Sequence, residues 1–212
     1  MRLLSTLGTL LLPLLLAAQS IPVDDRVHLT ENFTAVRAAY IYKVEIVDGE
    51  RASVRIDASD NIRDKVDVSL QGETLRLKIE DWTGNGRENT YVRVYLVVPD
   101  LREIDVAGAA SVEVKEYQST SPLEVSVAGA GRLRLEGSGE EADIKAAGAG
   151  RLDAEDYRLQ RCKIDVAGAA SAEVNVRDEV EGRASGASRL RVKGNPKQSD
   201  LRASGAARVR GE

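Results

Sequence analysis

The chain has 212 residues and a formal net charge of −4, from 30 basic against 34 acidic side chains, a balance that excludes a generic nucleic-acid binder with its strongly basic footprint. One Cys and one His exclude a disulfide scaffold, a zinc ribbon and a histidine-rich metal centre, so no metal or cofactor is expected. With one Trp, one Phe and six Tyr, any core must be built from Val, Leu, Ile, Ala and Gly, and the length suits one domain.

At the start, Met1-Arg2 precedes an apolar stretch over 10–18, and Ala18-Gln19-Ser20 then gives a small-x-small pattern. A basic start, a short apolar middle and small residues at the cut predict a secretory signal peptide over 1–20, followed by a polar segment over 21–32. The apolar stretch is too short for a spanning helix, and no Cys follows it to carry a lipid anchor. The expectation is an exported protein without a transmembrane segment. His28 lies in the polar segment with no Ser, Cys or carboxylate motif around it, a poor setting for catalysis.

Strand-like runs follow at 40–47, 52–58, 66–70, 74–80 and 91–98. Asp48-Gly49 and Gln71-Gly72 separate neighbouring runs and by local rule mark hairpins; equally, the runs read as degenerate coils of the repeat described next. The longer connections are 59–65 and 81–90, the latter with a glycine-containing stretch, 84–87, that lacks the Lys-Ser/Thr ending and following helix of a phosphate loop.

From residue 101 the chain repeats itself. Six units centre on Gly108, Gly129, Gly148, Gly168, Gly186 and Gly205, spaced 21, 19, 20, 18 and 19 residues apart. In the first, Ile104, Val106, Gly108, Ala110, Val112 and Val114 share one parity and Asp105, Ser111 and Glu113 the other. A period of two is a strand pattern, and a period near twenty of strand-like units is a solenoid. Large apolar residues at the ends of each unit and small ones in the middle predict two short strands meeting at a glycine-lined corner. No unit has room for a ten-residue helix. The fold class read from these facts is all-β, a right-handed single-stranded parallel β-helix of about 20 residues per coil with a less regular N-terminal half, one domain over 33–212. The lengths between glycines vary, and 117–122, 137–141, 156–161, 177–181 and 193–199 read as outer turns that absorb the difference. Cys162 shares the parity of Ile164 and reads as a buried small apolar residue.

Stacked coils turn outward side chains into rows about 4.8 Å apart. One row reads Glu113, Arg134, Asp153, Glu173, Arg191, Arg210. Its adjacent carboxylates, Asp153 and Glu173, flanked by Arg134 and Arg191, resemble the clusters of β-helix polysaccharide lyases and hydrolases, but an inverting pair needs roughly 6.5–9.5 Å between carboxyls, and a solvated charge ladder accounts for the row better. Residues 181–212 carry eight basic and three acidic residues, and three rows end in Arg over Arg: Arg183 with Arg202, Arg189 with Arg208, Arg191 with Arg210. These six arginines are the expected anion-binding residues, for a surface glycan or a lipopolysaccharide phosphate; alternatively, charge around the last coil keeps its open ladder from pairing edge to edge.

In order, the chain also carries Phe33-Thr34-Ala35-Val36, Val44 through Gly49 with Ser53-Val54, Asp60 through Val66, Gly72 through Leu77, Val97 through Leu101, and then the serial Gly-Ala units. Over residues 33–209 this order resembles a bacterial family of exported domains, the head GIN domain of an autotransporter-adhesin type. The resemblance implies a right-handed β-helix and surface adhesion, and supplies no catalytic residues. The resemblance implies a lipid anchor in many relatives, and this chain departs from that pattern in having no Cys after its apolar stretch. The functional expectation is an exported non-enzymatic adhesin-like binding module of the bacterial periplasm or cell surface. The alternative is a self-associating structural envelope protein, a homo-oligomer through its coil ends, and a carbohydrate-cleaving enzyme is the remotest reading.

Overall fold

The computed structural model describes residues 19–23, 26–28, 31–81 and 90–211. The strands are β1 (Gln19–Ser20), β2 (Arg26–His28), β3 (Ala35–Ala38), β4 (Tyr42–Val47), β5 (Ser53–Ala58), β6 (Val66–Gln71), β7 (Thr74–Ile79) and β8 (Val92–Val97). In the repeat region they are β9 (Glu103–Val106), β10 (Ser111–Gln118), β11 (Leu123–Val127), β12 (Arg132–Ala146), β13 (Arg151–Val166), β14 (Ser171–Ala184), β15 (Arg189–Lys193), β16 (Gln198–Ala203) and β17 (Arg208–Gly211). From β9 onward every pairing is parallel between one coil and the next, about 20 residues per turn. The chain is therefore the β-solenoid that the repeat predicts.

Each coil contributes to two ladders that meet at the glycine corner. One face stacks β5, β8, β4, β10, the first halves of β12, β13 and β14, then β15 and β17. The other stacks β6, β7, β3, β9, β11, the second halves of β12, β13 and β14, then β16. Inward positions of both faces fuse into one buried cluster running from Ile21 to Val192. Alternation dictates this: residues i and i+2 of a strand share a face, and a strand's apolar parity must face the coil interior to leave water.

The corner differs from expectation at one position. Ile104, Val106, Ala110, Val112 and Val114 are buried, but Gly108, of the same parity, is exposed, as are its five counterparts. The chain turns at the glycine, so the alternation breaks there. Gly108 has φ +66°, and the turn is closed by the Ala110 N–H donating to the Ala107 carbonyl at 3.3 Å. Positive φ at the first central residue of a tight turn favours Gly. Stacking adds a second requirement. A Cβ on Gly148 would lie 2.9 Å from the Gly129 carbonyl oxygen, and the other corners are equally tight. The six glycines form a single column, joined by N–H···O bonds such as Ala149 to Gly129 and Ala169 to Gly148.

Three segments read as outer turns, 137–141, 156–161 and 177–181, are instead strand. Gly137, Tyr157 and their neighbours pair coil to coil after a bulge, so the coil bends without leaving the ladder, and its backbone groups stay satisfied where a turn would have released them. Loops do interrupt the strands at 119–122 and 194–197, around Pro122 and Pro196.

In the N-terminal half both open readings hold in part. β6 and β7 form an antiparallel hairpin around Gly72, which has φ +59°. Asp48-Gly49 makes no hairpin: β4 and β5 lie on opposite sides of β8, β4 parallel and β5 antiparallel to it. β3 and β4 are a true coil, in register with β9 and β10, with Val36 opposite Ile104 and Val44 opposite Val112. Its corner residue is Tyr40, at φ +62°, whose backbone stacks under Gly108. The segment between β4 and β9 doubles back to lay β7 and β8 on the far side of this coil, and β1, β2, β5 and β6 add antiparallel strands beyond them. Ile21 is buried and its N–H donates to Val68, so the folded body takes in part of the segment before residue 33. Most of the expected signal peptide (1–18) and the 84–87 stretch lie outside the described residues. His28 ends β2, opposite Ser53.

Candidate anion-binding site

The outward rows fall in the expected register. Arg183 pairs with Arg202, Arg189 with Arg208 and Arg191 with Arg210. The six are not one cluster, however. Arg189, Arg191, Arg208 and Arg210 project from the face carrying β15 and β17, where with Ser171 and Glu173 they line an open depression of about 270 Å³. Arg183 and Arg202 project from the other face, across the glycine corner, into a recess with Asp165, Ser185 and Ser204. Each also leans on a carboxylate of its own coil: Arg202 reaches Asp200 at 2.7 Å and Arg183 reaches Glu181 at 3.7 Å. The separation arises because 183 and 202 precede the corner glycine of their units while 189, 191, 208 and 210 follow it.

The row with the paired carboxylates also stands in register, from Glu45 and Glu113 through Arg134, Asp153, Glu173 and Arg191 to Arg210. Arg134 stands beside Asp153 in the row as expected, but its ion pairs go elsewhere. It bonds Glu136 at 2.8 Å and Asp156 at 3.0 Å. Glu173 is taken up by Arg191 at 3.0 Å and Lys193 at 3.5 Å, and Lys193 also bonds Glu155, holding that carboxyl below its ordinary range. Such a carboxylate is engaged by its neighbours rather than presented to an incoming glycosidic oxygen. Among the described residues no three His, Cys, Asp or Glu side chains converge as metal ligands, and no helix is long and apolar enough to cross a membrane.

One recess escapes sequence reasoning, because its residues read locally as turns. Ser138, Arg158, Gln160, Arg177, Asn195 and Lys197 line a polar groove of about 800 Å³ on the side of the coils opposite the glycine corner. The buried Tyr157 lies beneath it, its hydroxyl near Ser119 but without a well-formed hydrogen bond. Period-two parity through 157 and 159 is the available signal that these residues are strand.

Cys162 is buried, as its parity required, and burial pushes its thiol up to about 12. Tyr117 is buried as well, and its hydroxyl accepts from the Leu101 N–H at 2.7 Å and donates to the Val98 carbonyl at 3.0 Å. It thereby satisfies backbone groups where the chain re-enters the regular coils.

Comparison with known proteins agrees with this architecture. A search of curated proteins finds no match. Among solved structures, a "putative adhesin" from Bacteroides fragilis aligns with TM-score 0.71 and 16% identity, over 92% of this chain and 96% of that one. A "putative lipid binding protein" from Parabacteroides distasonis aligns with TM-score 0.53 and 14% identity, over 92% and 96%. At such identities the likeness is one of fold. The family model described as "Putative auto-transporter adhesin, head GIN domain" matches residues 32–196. With most of its length covered by that match, this solenoid belongs to the head GIN domain family.

Proposed function

We propose that the chain is an exported, non-enzymatic, adhesin-like module that binds an anionic surface polymer, a glycan or the phosphates of lipopolysaccharide, through its C-terminal coils. The single observation carrying this reading is the stacking of Arg189 on Arg208 and Arg191 on Arg210 at the rim of one open depression. Two unit charges about 4 Å apart repel by roughly 1 kcal/mol in water, and an anion laid across them reverses the sign. The family description supports adhesion, the basic-apolar-small order of residues 1–20 supports export, and the occupied Glu173 carboxylate argues for a charge ladder over a glycosidase pair.

The test is retention on an immobilised anionic polysaccharide across a salt gradient. Arg189→Gln with Arg208→Gln and Arg210→Gln should elute at markedly lower salt than the parent chain, and unchanged elution would sink the reading.

A second reading, self-association through coil ends, has its own support. Leu201, Ala207 and Val209 of the last coil are only partly covered, and β16 and β17 each carry a parallel partner on one side only. Light scattering over a range of concentration and salt separates the two: stacking of coil ends raises the mass with concentration, whereas a monomeric binder keeps a constant mass.

A further inference from the structure

We infer that the binding surface is a continuous cationic track along the solenoid axis that holds an extended linear acidic polysaccharide, of which the C-terminal arginines are only the last part. This rests on the anion-binding reading above and deepens it. The outward row nearest the glycine corner on the β15–β17 face runs, rung by rung, Arg93, Lys43, Ser111, Arg132, Arg151, Ser171, Arg189, Arg208. At about 4.8 Å per rung it is about 34 Å long. From Arg93 onward it contains no carboxylate, the preceding rung on β5 being Asp57, and all six cations are exposed.

The pairing state singles this row out. Lys43, Arg132, Arg151, Arg189 and Arg208 form no ion pair with any described residue, and Arg93 is held only loosely, 3.9 Å from Asp57 and over the Tyr91 ring. In the next row, by contrast, Glu45 is bonded by Lys115, Glu173 by Arg191 and Lys193, and Arg134 by Glu136 and Asp156. Among the described residues, the ion pairs of this face gather in the neighbouring row, and this row holds one, the loose pair of Arg93 with Asp57. From Ser111 to Arg208 the track is bounded on the corner side by the exposed Gly-Ala pairs from Gly108-Ala109 to Gly205-Ala206, so along these rungs nothing larger than a methyl group stands at the corner, whereas beside Lys43 the corner is the half-buried Tyr40-Ile41.

The order within the row indicates the ligand class. Cations come in adjacent pairs, Arg93 with Lys43, Arg132 with Arg151 and Arg189 with Arg208, separated by single serines, so the pattern recurs every three rungs, about 14 Å. Charged groups at intervals with hydroxyl partners between them suit a chain of sugars bearing carboxylates or sulfates. Single-stranded nucleic acid would want aromatic platforms, and no position of the row is aromatic. Tyr95, one row over, is already covered by the Arg55 guanidinium at 4.0 Å.

The experiment uses the full chain with size-graded heparin fractions, a tetrasaccharide and a chain long enough to span the track, titrated by calorimetry at several salt concentrations. Arg132→Gln with Arg151→Gln lies two rungs from the nearest C-terminal arginine. It should weaken the long fraction at least tenfold and lower the salt slope by about two counterions, while a tetrasaccharide bound at Arg189 and Arg208 is unaffected. Arg183→Gln with Arg202→Gln, on the other face, should change neither. Wild-type affinity of the central variant for the long fraction would overturn the track and leave the C-terminal site standing. No heparin binding by the parent chain at any length would remove the underlying reading with it. Equal loss in the opposite-face variant, or tighter binding to single-stranded DNA than to the long fraction, would overturn the placement or the ligand class. Melting curves of the variants should match the parent, since every changed side chain is exposed.

Discussion

Gly148 shows how much a single corner position carries. Its φ of +75° disfavours any side chain, and an added methyl would sit 2.9 Å from the Gly129 carbonyl oxygen. Gly148→Ala should therefore cost about 2–4 kcal/mol, from left-handed strain plus crowding, measured as a fall in the urea midpoint. Gly211, where a methyl would meet nothing within 4 Å, is the matched control, and its change to Ala should stay within about 0.5 kcal/mol. Cys162 makes a different kind of prediction. Burial raises its thiol from 9.0 to about 12, so between those values the unfolded chain gives up a proton that the folded chain keeps. The unfolded state then binds fewer protons, and stability falls as pH rises above about 9, by up to about 1.4 kcal/mol per unit. Cys162→Ala should flatten the decline between pH 8 and 10. Above pH 10 both proteins should weaken further, because Tyr117 and Tyr157 are also pushed up to about 12 by burial. A thiol reagent should leave Cys162 untouched until the chain unfolds.

At the scale of elements, the strands are defined by parity and the loops between them by tolerance. Thr120 and Ser121 lie in a loop between β10 and β11, and lengthening a surface loop by two residues costs only a slowly growing closure entropy. A Gly-Ser insertion between them should lower stability by less than about 1 kcal/mol. One glycine inserted between Leu133 and Arg134 would instead turn the buried set of this strand outward, and cooperative thermal unfolding should be lost. The same logic explains why the stretches expected to be turns at 137–141, 156–161 and 177–181 stay in the ladder: a bulge shifts the register while neighbouring coils continue to pair.

For the whole molecule, each coil touches chiefly its neighbours, so stability is nearly a sum over coils. The last coil buries least, with Leu201 and Val209 only partly covered. A chain ending at Lys193 should keep its β-sheet circular dichroism and a single melting transition, lowered by on the order of 5–10 °C, while losing the short-oligosaccharide site at Arg189 and Arg208. Charge is sorted at this scale too. An overall −4 coexists with a cationic row in which, among the described residues, only Arg93 has an ion pair, because Glu45, Glu113 and Glu173 on the same face are drawn into ion pairs one row away. Exposed pairs of that kind contribute little to stability, about 0–1 kcal/mol each. Their larger effect is to keep those carboxylates away from the cationic row, where among the described residues only Arg93 is paired.

The amino-acid sequence alone determined the strand parity, the twenty-residue period, the glycine column and the Arg-over-Arg rungs. All of these are local patterns, or repeats of one, and a period of two permits a single assignment of faces. The tertiary structure alone decided which rungs adjoin where the repeat is broken. It placed β7 and β8 beyond the coil of β3 and β4, made Tyr40 the first corner, and divided the six arginines between two faces. It also joined Arg93 and Lys43 to Arg132 and Arg151 in one track. Residues 43 and 93 share no repeat spacing with 132, so only strand pairing across the inserted segment, a long-range choice governed by core burial and ladder completion, could bring them into line.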